Sequence, residues 1–306
     1  MRYRSLFAQK GLSLERLATL VAVDEAGHIA AAAPDDQNKQ AVISRQLSSL
    51  ERFFQVELKN KAGKTIRLTP AGRELARTAR EHLQALEGFQ RDCRHQPMEV
   101  TIGAGESLLQ WLVVPRFKAL RDSMAGASIE LRDLQNLAIC QQLQDHVIDF
   151  GLLRSDLATR GSLVGKSLGN FGYSLFVPER MCPRTAKRSE VALLQELPLA
   201  TQGGNTVFQN QLLELAAGEN WKLNIQLLGE SHPQVAQALS TGEVAVILPD
   251  VARLALSLDS VWVQRLTVLD CLRRTIFLAW HPHRLETRPS LAGIPKKLAH
   301  VLQFAC

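Results

Sequence analysis

The chain has 306 residues, of which 46% are hydrophobic and 22% charged, a composition typical of a globular protein of one or two domains. We find no stretch of about 18 apolar residues and no signal-peptide pattern, so we expect a cytoplasmic protein without a membrane span. The net charge is +6, yet residues 38–80 carry ten Lys or Arg against three acids, and such concentrated positive charge is typical of a DNA-binding module.

The N-terminal segment predicts a helix-turn-helix. Ser13 is a suitable N-cap for a helix that ends near Gly27, and a short Ala-rich helix over residues 29–33 ends at Pro34. A polar turn over residues 35–38 can cap the next helix. That helix runs from about residue 39 to 54, because its apolar side chains recur at helical spacing: Ile43, Leu47, Leu50 and Phe54.

The polar face of this third helix carries groups that suit DNA. Arg45 and Arg52 can pair with phosphates or guanine edges, and Gln40 and Ser44 can hydrogen-bond to bases or backbone. Ala41 and Val42 can touch a thymine methyl group.

Residues 57–68 follow as two short strand-like arms around Ala62-Gly63. Their Lys and Arg predict a wing that contacts the phosphate backbone. An ordinary solvated basic hairpin is the alternative.

Thr69 and Pro70 then begin a long helix that ends near Arg91. Apolar and small residues spaced by three and four predict a seam for a second copy of the chain: Gly72, Leu75, Ala79, His82, Leu86 and Phe89. We expect His82 to be a packed or interface residue, and Arg73, Arg77 and Arg80 to decorate the helix as further basic groups.

Beyond a short linker at residues 94–97, strands and helices alternate, which predicts an α/β domain with largely parallel sheets. The predicted strands are Met98–Gly103, Ser128–Leu131, Asp149–Leu153, Tyr173–Val177, Leu197–Thr201, Leu223–Leu228, Val244–Leu248 and Thr275–Trp280. The predicted helices are Leu108–Asp122, Leu137–His146, Thr206–Ala217, Val235–Leu239 and Pro295–Phe304.

Three loops lead from predicted strands towards helix N-termini, where free backbone N–H groups suit an anionic ligand. They contain Gly105, Glu106 and Ser107, then Thr201 and Gln202, and finally Ser231 and His232. Glu106 would instead suit an amine or cap its helix, so the class of ligand stays open. A helix cap and turn is the alternative for each loop.

Catalytic and metal patterns are absent from the sequence. We find no nucleophile elbow, phosphate-binding Gly loop or dinucleotide fingerprint, and His281-Pro282-His283 lacks a third ligand and is expected to be a surface loop. The five cysteines are widely spaced, which favours reduced thiols, with a redox sensor as the alternative. We therefore expect no enzyme, no metal and no cofactor.

Three segments, Gly27–Ala33, Gln40–Glu51 and Ile66–Gly72, resemble the LysR-type transcriptional regulators. Asp149–Leu152 and Thr241–Pro249 are similar to recurring segments of that family's effector-binding domain. The resemblance implies an α+β and α/β multidomain fold: a winged helix-turn-helix, a dimerising linker helix and a two-lobed domain similar to periplasmic binding proteins. It also implies regulation of transcription by a small-molecule effector that binds between the lobes.

We accordingly predict a DNA-binding domain over residues 1–69, a linker helix over 70–96 and an effector domain over 97–306. Lobe I would comprise about 97–174 and 268–306, and lobe II about 175–267. The predicted partners are double-stranded DNA with an inverted repeat, an unidentified effector, and further copies of the chain in a homodimer through the linker helix and a homotetramer. When bound to DNA the protein would be associated with the nucleoid. An enzyme or a pure small-molecule binding protein on the same scaffold are the alternatives.

The residues expected to contact DNA are Lys39, Gln40, Ala41, Ser44, Arg45, Arg52, Lys61, Lys64 and Arg67. Three positions depart from the family pattern, which typically has Leu at Asp36 and Pro at Ala41, and often Phe at Lys59. We expect these departures to change operator preference rather than to abolish DNA binding.

Overall fold

The computed structural model describes residue 6 and residues 9–63, 65–158, 161–184 and 188–305. Within this part of the chain, contacts define two compact units. The first comprises residues 1–96 with 145–147, and the second comprises residues 97–144 with 148–306.

Among its described residues, the N-terminal unit contains several helices and one hairpin. Its elements are α1 (Leu14–Ala26), α2 (Ile29–Ala32), α3 (Gln37–Phe54), β1 (Lys59–Ala62), β2 (Thr65–Leu68) and α4 (Pro70–Cys93). The predicted caps of α1 are confirmed, since Ser13 accepts a hydrogen bond from the N–H of Arg16 and Gly27 ends the helix in the left-handed conformation.

Helix α3 begins two residues before the predicted start because Asp36 caps it. The Asp36 Oδ1 atom accepts a hydrogen bond from the N–H of Lys39 at 2.8 Å. Asp36 is one of the positions at which this chain departs from the family pattern. Its carboxylate therefore stabilises the helix by accepting a hydrogen bond from a backbone N–H group at the helix start.

The apolar stripe of α3 faces the core of the N-terminal unit as predicted. Ile43, Leu47 and Leu50 are buried, and Phe54 packs against them while remaining partly exposed. The same core receives Leu20 and Val23 of α1, Leu58 before the hairpin, Leu68 of β2 and Ala76 of α4. Burying these side chains removes apolar surface from water, which is the main stabilising term for such a small core.

The start of α4 passes very close to the hairpin at Gly72. Thr69 caps the helix by accepting a hydrogen bond from the N–H of Gly72 at 3.0 Å. A Cβ atom placed on Gly72 would lie only 2.1 Å from the backbone oxygen of Leu58. Glycine is therefore needed here because only a residue without a side chain lets the helix approach the strand.

The second unit contains two five-stranded sheets with helices packed against them. In chain order the strands are β3 (Glu99–Ala104), β4 (Ser128–Asp133), β5 (Phe150–Arg154), β6 (Val164–Phe171), β7 (Tyr173–Pro178), β8 (Leu199–Gln202), β9 (Ile225–Gly229), β10 (Ala245–Pro249), β11 (Val261–Arg265) and β12 (Arg274–Trp280). The first sheet has the order β4-β3-β5-β12-β6, and the second has the order β11-β7-β10-β8-β9.

The helices of this unit are α5 (Glu106–Leu108), α6 (Phe117–Ser123), α7 (Asn136–Gln144), α8 (Ser155–Ala158), α9 (Glu190–Glu196), α10 (Val207–Gly218), α11 (His232–Ala236), α12 (Pro282–Thr287) and α13 (Ile294–Leu302). Between α5 and α6 the chain continues as a π-helical turn, Leu109–Val113, and a 3-10 turn, Val114–Arg116. Pro115 lies in the second turn, which explains why the predicted single helix is interrupted.

The predicted strands are all present, with ends within two residues of the expected positions. Two further strands, β6 and β11, were not predicted. Both pair antiparallel with a neighbour, as β12 does with β5 and β7 with β10. The expectation of largely parallel sheets is therefore right only for β3 with β4 and β5, and for β8 with β9 and β10.

Two buried carboxylates hold the second unit together. Asp149 accepts hydrogen bonds from Arg284, Arg288 and the backbone N–H of Thr101. Asp250 accepts from the N–H of Gly172 at 2.9 Å and from the hydroxyl of Ser174 at 2.5 Å, at the point where the chain crosses from the first sheet to the second. Such partners are what make a buried carboxylate tolerable.

The segment expected to be a surface loop, His281-Pro282-His283, instead begins α12. Pro282 is the first residue of this helix, a position at which proline loses no hydrogen bond. In the part of the chain that is described, we find no helix of the length and apolar character needed to cross a bilayer.

Two glycines of α4 give opposite predictions for stability. Gly72→Ala should destabilise the N-terminal unit by about 2 kcal/mol, since the new methyl group meets a backbone oxygen rather than a movable side chain. Gly88→Ala on the same helix meets nothing within 4 Å, so it should stabilise by up to about 1 kcal/mol through helix propensity. Urea unfolding followed by circular dichroism measures both, and equal effects of the two substitutions would contradict the close approach at Gly72.

Candidate nucleic-acid interface and ligand cleft

The exposed face of α3 presents most of the side chains predicted to contact DNA. Because Ile43, Leu47 and Leu50 are buried, Ala41 and Arg45 on the opposite side face solvent. Lys39 at the start of the helix is also exposed, and Ser44 is half-buried on the flank. This face is continuous and carries both cationic and small side chains, as a helix in the major groove requires.

Two of the predicted residues are already engaged within the module. The amide nitrogen of Gln40 donates to the carbonyl oxygen of Ala33 at 2.8 Å, which leaves its amide oxygen and its second N–H available. Arg52 lies along its own helix, donating to the backbone oxygen of Ser48 at 3.4 Å and to the hydroxyl of Ser49 at 3.3 Å. Arg45 and Lys39 make no ion pair within the described residues, so their charges are available to a polyanion.

The predicted hairpin is present, with β1 and β2 antiparallel and Lys61 opposite Ile66. Lys61 and Arg67 are exposed on it. Lys64, the third wing residue expected to contact DNA, lies outside the described residues. Lys59 differs from its neighbours because it turns inward, with its ammonium 2.5 Å from a carboxylate oxygen of Glu51.

Two of the three arginines expected to decorate α4, Arg77 and Arg80, pair with carboxylates inside the module. Arg80 is only 2% exposed and pairs with Asp24 at 2.8 Å and Glu25 at 3.3 Å, both on α1. Arg77 pairs with Glu74 on its own helix. The hydrogen bond from Arg77 lowers the pKa of Glu74, and the same contact raises the pKa of Arg77.

The predicted seam of α4 divides into two parts. Gly72 and Ala79 are buried in the N-terminal unit. Leu86 is 51% exposed and Phe89 70% exposed, so the second half of the helix keeps large apolar groups in solvent. His82 is exposed, with its Nδ1 atom 2.7 Å from the backbone oxygen of Thr78.

The residues predicted to bind an effector lie at the ends of three strands of the second unit, one in the first sheet and two adjacent strands in the second sheet. Gly105 to Ser107 follow β3, Thr201 and Gln202 end β8, and Ser231 and His232 follow β9. Helices α5 and α11 contact each other, so the first and third loops come together. Gln202 donates to the carbonyl oxygen of Glu230 at 3.1 Å, which joins the second loop to the third.

Individual side chains in these loops differ in exposure. Ser231 caps α11 by accepting a hydrogen bond from the N–H of Gln234, so the alternative role of helix cap applies to it. Glu106 is exposed, whereas Thr201 and His232 are buried. Because Ser231 caps it, the helix predicted at Val235–Leu239 begins three residues earlier, at His232.

An aromatic cluster beside His232 was not predicted. Tyr173 stacks on Phe208 with ring centroids 4.2 Å apart, and the His232 ring lies 5.0 Å from that of Phe208. Burial lowers the pKa of His232 to about 3, so its ring is neutral at pH 7, and burial raises the pKa of Tyr173. The sequence feature that could have indicated this cluster is Tyr173, an aromatic residue directly after Gly172, where the chain passes from the first sheet to the second.

Two polar atoms of these loops lack a hydrogen-bond partner among the described residues. They are the Thr201 hydroxyl oxygen, whose residue is 0% exposed, and the Nδ1 atom of His232. A buried polar atom without a partner costs free energy. A bound molecule with matching donors or acceptors would remove that cost.

Two protein-family models match the chain over most of its length. The "Bacterial regulatory helix-turn-helix protein, lysR family" matches residues 14–73, and the "LysR substrate binding domain" matches residues 94–292. The chain belongs to the LysR family. It is a LysR-type transcriptional regulator with a DNA-binding helix-turn-helix and an effector-binding domain, as the sequence resemblance implied.

The curated relatives of this regulator include two proteins named HTH-type transcriptional regulator HdfR. The protein from Yersinia enterocolitica is 24% identical over 243 residues, which cover 78% of this chain and 82% of the relative. The protein from Salmonella newport is 25% identical over 190 residues, covering 60% of this chain and 66% of the relative.

Solved structures of full-length LysR-type proteins share the fold. A full-length OxyR variant from Pseudomonas aeruginosa superposes with a TM-score of 0.64 at 18% identity, covering 97% of this chain and 96% of that one. CbnR in complex with its target DNA gives 0.58 at 19% identity, covering 95% and 100% of the two chains. LysG from Corynebacterium glutamicum with bound effector Arg gives 0.57 at 15% identity, covering 95% and 98%.

The depressed pKa of His232 predicts acid sensitivity of the regulator's effector domain. In the unfolded chain His232 is protonated below about pH 6.5, whereas in the folded domain it is protonated only below about pH 3. The free energy of unfolding therefore falls as the pH drops from 6.5 to 3. Between pH 7 and 5 the loss should be about 2 kcal/mol. His232→Gln, which stays neutral, should remove that part of the loss.

Tryptophan fluorescence during urea unfolding measures it, since all four tryptophans lie in the second unit at positions 111, 221, 262 and 280. His300→Gln is the matched control because His300 is exposed on α13. Equal acid sensitivity of the wild type and His232→Gln would contradict the buried neutral histidine.

Proposed function

We propose that the regulator contacts DNA through the exposed face of α3 and the β1–β2 wing, and binds its effector in the cleft that contains Thr201 and His232. In this proposal residues 1–69 are the DNA-binding domain, residues 70–96 are the linker helix and residues 97–306 are the effector domain. The observation that carries the DNA interface is the exposure of Arg45 and Lys39 on α3 together with Lys61 and Arg67 on the adjacent wing.

The charge distribution supports this interface over the rest of the N-terminal unit. Lys59, Arg77 and Arg80 are paired with carboxylates, whereas Lys39 and Arg45 on α3 and Lys61 and Arg67 on the wing are exposed. Cations on a helix face and a neighbouring hairpin can follow a groove and the phosphates beside it. That CbnR is solved in complex with its target DNA supports the same use of this fold.

For the effector, the support is the pair of buried polar atoms on Thr201 and His232. The neutral His232 ring can accept or donate one hydrogen bond through Nδ1, depending on its tautomer, and the Thr201 hydroxyl can do both. The aromatic rings of Tyr173 and Phe208 next to them suit an apolar portion of the same molecule. LysG is solved with bound effector Arg, so a small polar molecule suits this type of domain.

For the assembly, the support is the exposed second half of α4. Leu86 and Phe89 lie three positions apart on one face, as residues of a helix–helix interface do. We propose a homodimer through this helix and a homotetramer built from two dimers, which together present the DNA-binding units to an inverted repeat. The protein would act in the cytoplasm, associated with the nucleoid when bound, and without catalytic activity.

Replacing Arg45 tests the DNA interface. Arg45→Ala should weaken binding to a duplex selected from a random pool by about tenfold, because either a base contact or a phosphate contact is lost. A phosphate contact would lower affinity for all duplexes and reduce the salt slope by about 0.9. A base contact would act at one position of the site.

Fluorescence anisotropy at several salt concentrations measures both quantities. Arg121→Ala, an exposed arginine on α6 of the second unit, is the control and should leave affinity unchanged. Unchanged binding by Arg45→Ala would contradict the proposed interface.

Replacing Thr201 tests the cleft. Thr201→Val keeps the shape of the side chain and removes a hydroxyl that lacks a partner, so the free protein should be as stable or up to about 1 kcal/mol more stable. A molecule that raises the melting temperature of the wild type in a screen of amino acids and carboxylic acids should bind the variant about tenfold more weakly.

Thr275→Val on β12 serves as the control and should bind the molecule normally. Normal binding by Thr201→Val, measured by calorimetric titration, would place the effector elsewhere.

A further inference from the structure

One lysine of the wing is turned away from the surface that the other wing residues share. Lys61 and Arg67 are exposed, but the Lys59 side chain is only 15% exposed. Its ammonium lies 2.5 Å from Oε2 of Glu51 and 2.7 Å from the hydroxyl oxygen of Ser48. Both partners belong to α3, so Lys59 joins the hairpin to the helix that carries Arg45.

Both carboxylate oxygens of Glu51 accept hydrogen bonds from residues at the start of the hairpin. While Oε2 accepts from the ammonium of Lys59, Oε1 accepts from the backbone N–H of Leu58 at 3.0 Å and of Lys59 at 3.2 Å. One carboxylate thus fixes the backbone at the start of β1 and the side chain that follows. Burial alone would raise the pKa of Glu51, but these hydrogen bonds outweigh it and the pKa is lowered.

The contact also lies beside residues that point outward. Arg52 follows Glu51 directly and donates to the backbone oxygen of Ser48, whose hydroxyl accepts from Lys59. In the hairpin, Asn60 and Lys61 follow Lys59 and pair with Arg67 and Ile66. Holding Lys59 against α3 therefore sets the position of the wing relative to the exposed face of the helix.

We propose that Lys59 is a positioning residue for DNA binding: its ion pair with Glu51 holds the wing on α3 so that Lys61 and Arg67 reach the phosphate backbone. Lys59 itself does not contact phosphate. This inference rests on the proposed DNA interface and adds a role for two residues that make no DNA contact of their own.

The sign of the effect of Glu51→Gln separates positioning from direct contact. This substitution keeps an oxygen that can accept the backbone N–H groups of residues 58 and 59, and it places an uncharged amide opposite the ammonium. If Lys59 positions the wing, Glu51→Gln weakens DNA binding even though a negative charge is removed. If Lys59 contacts phosphate, Glu51→Gln frees it and binding becomes tighter.

The experiment measures binding of the full-length protein to a 40-base-pair duplex of mixed sequence by fluorescence anisotropy. Glu51→Gln and Lys59→Met should each weaken binding by about fivefold, and the double variant should bind no more weakly than either alone, because both remove one contact. Glu57→Gln is the matched control, since Glu57 is an exposed acid in the same segment, and it should leave affinity unchanged or raise it. Tighter binding by Glu51→Gln, or additive losses in the double variant, would overturn the proposal.

Hydrogen exchange separates a local effect from general unfolding. Glu51→Gln should accelerate exchange at the hairpin amides of residues 60–62 and leave those of α1 unchanged. Faster exchange throughout residues 14–93 would also overturn the proposal, because Glu51 would then stabilise the whole unit. The Arg45→Ala variant separates failure of the proposed DNA interface from failure of the role of Lys59. Normal binding of this duplex by Arg45→Ala would contradict the interface. Weak binding by Arg45→Ala together with normal binding by Glu51→Gln would refute only the role of Lys59.

Discussion

The exposed face of α3, which is proposed to contact DNA, depends on the burial of one apolar stripe. Ile43, Leu47 and Leu50 must face the core formed with Leu20 and Val23, and this requirement fixes the rotation of α3 about its own axis. Once the rotation is fixed, Arg45 faces solvent regardless of the interactions that its own side chain makes. The functional residues therefore take their positions from their apolar neighbours, which have nothing to do with DNA chemistry.

Sequence reasoning predicted this part well because helical spacing and caps are local. The stripe, the Ser13 and Thr69 caps and the hairpin followed from residues close together in the chain. The partners of charged residues did not, since Arg80 meets Asp24 and Glu25 of α1 at separations of more than 50 residues. Lysines and arginines counted as surface charge can thus be neutralised by acids that only the fold brings near.

In the effector domain, too, features set by neighbouring residues in the sequence were predicted, whereas contacts between distant segments were not. Strands buried on both faces, such as Phe150–Arg154 and Ala245–Pro249, have continuous apolar sequences and were predicted. The antiparallel strand Val164–Phe171 lies at the edge of its sheet, and its residues are mostly polar or small, so no periodic pattern marks it. Loops that follow strands pointed to Thr201 and His232, but only the folded chain places Tyr173 and Phe208 beside His232, because they come from three separate segments.

The aromatic cluster beside the proposed effector site lies next to the junction between the two sheets. Tyr173 directly follows Gly172, and the Gly172 N–H and the Ser174 hydroxyl both donate to the buried carboxylate of Asp250. A molecule that contacts Tyr173 and His232 therefore touches residues next to the crossing. It can change the relation between the lobes only if it binds one arrangement more tightly than another. The Thr201 hydroxyl and the His232 Nδ1 atom have no hydrogen-bond partner among the described residues. In the proposed site, hydrogen bonds from the effector to these two atoms would supply a free-energy difference that the protein alone cannot.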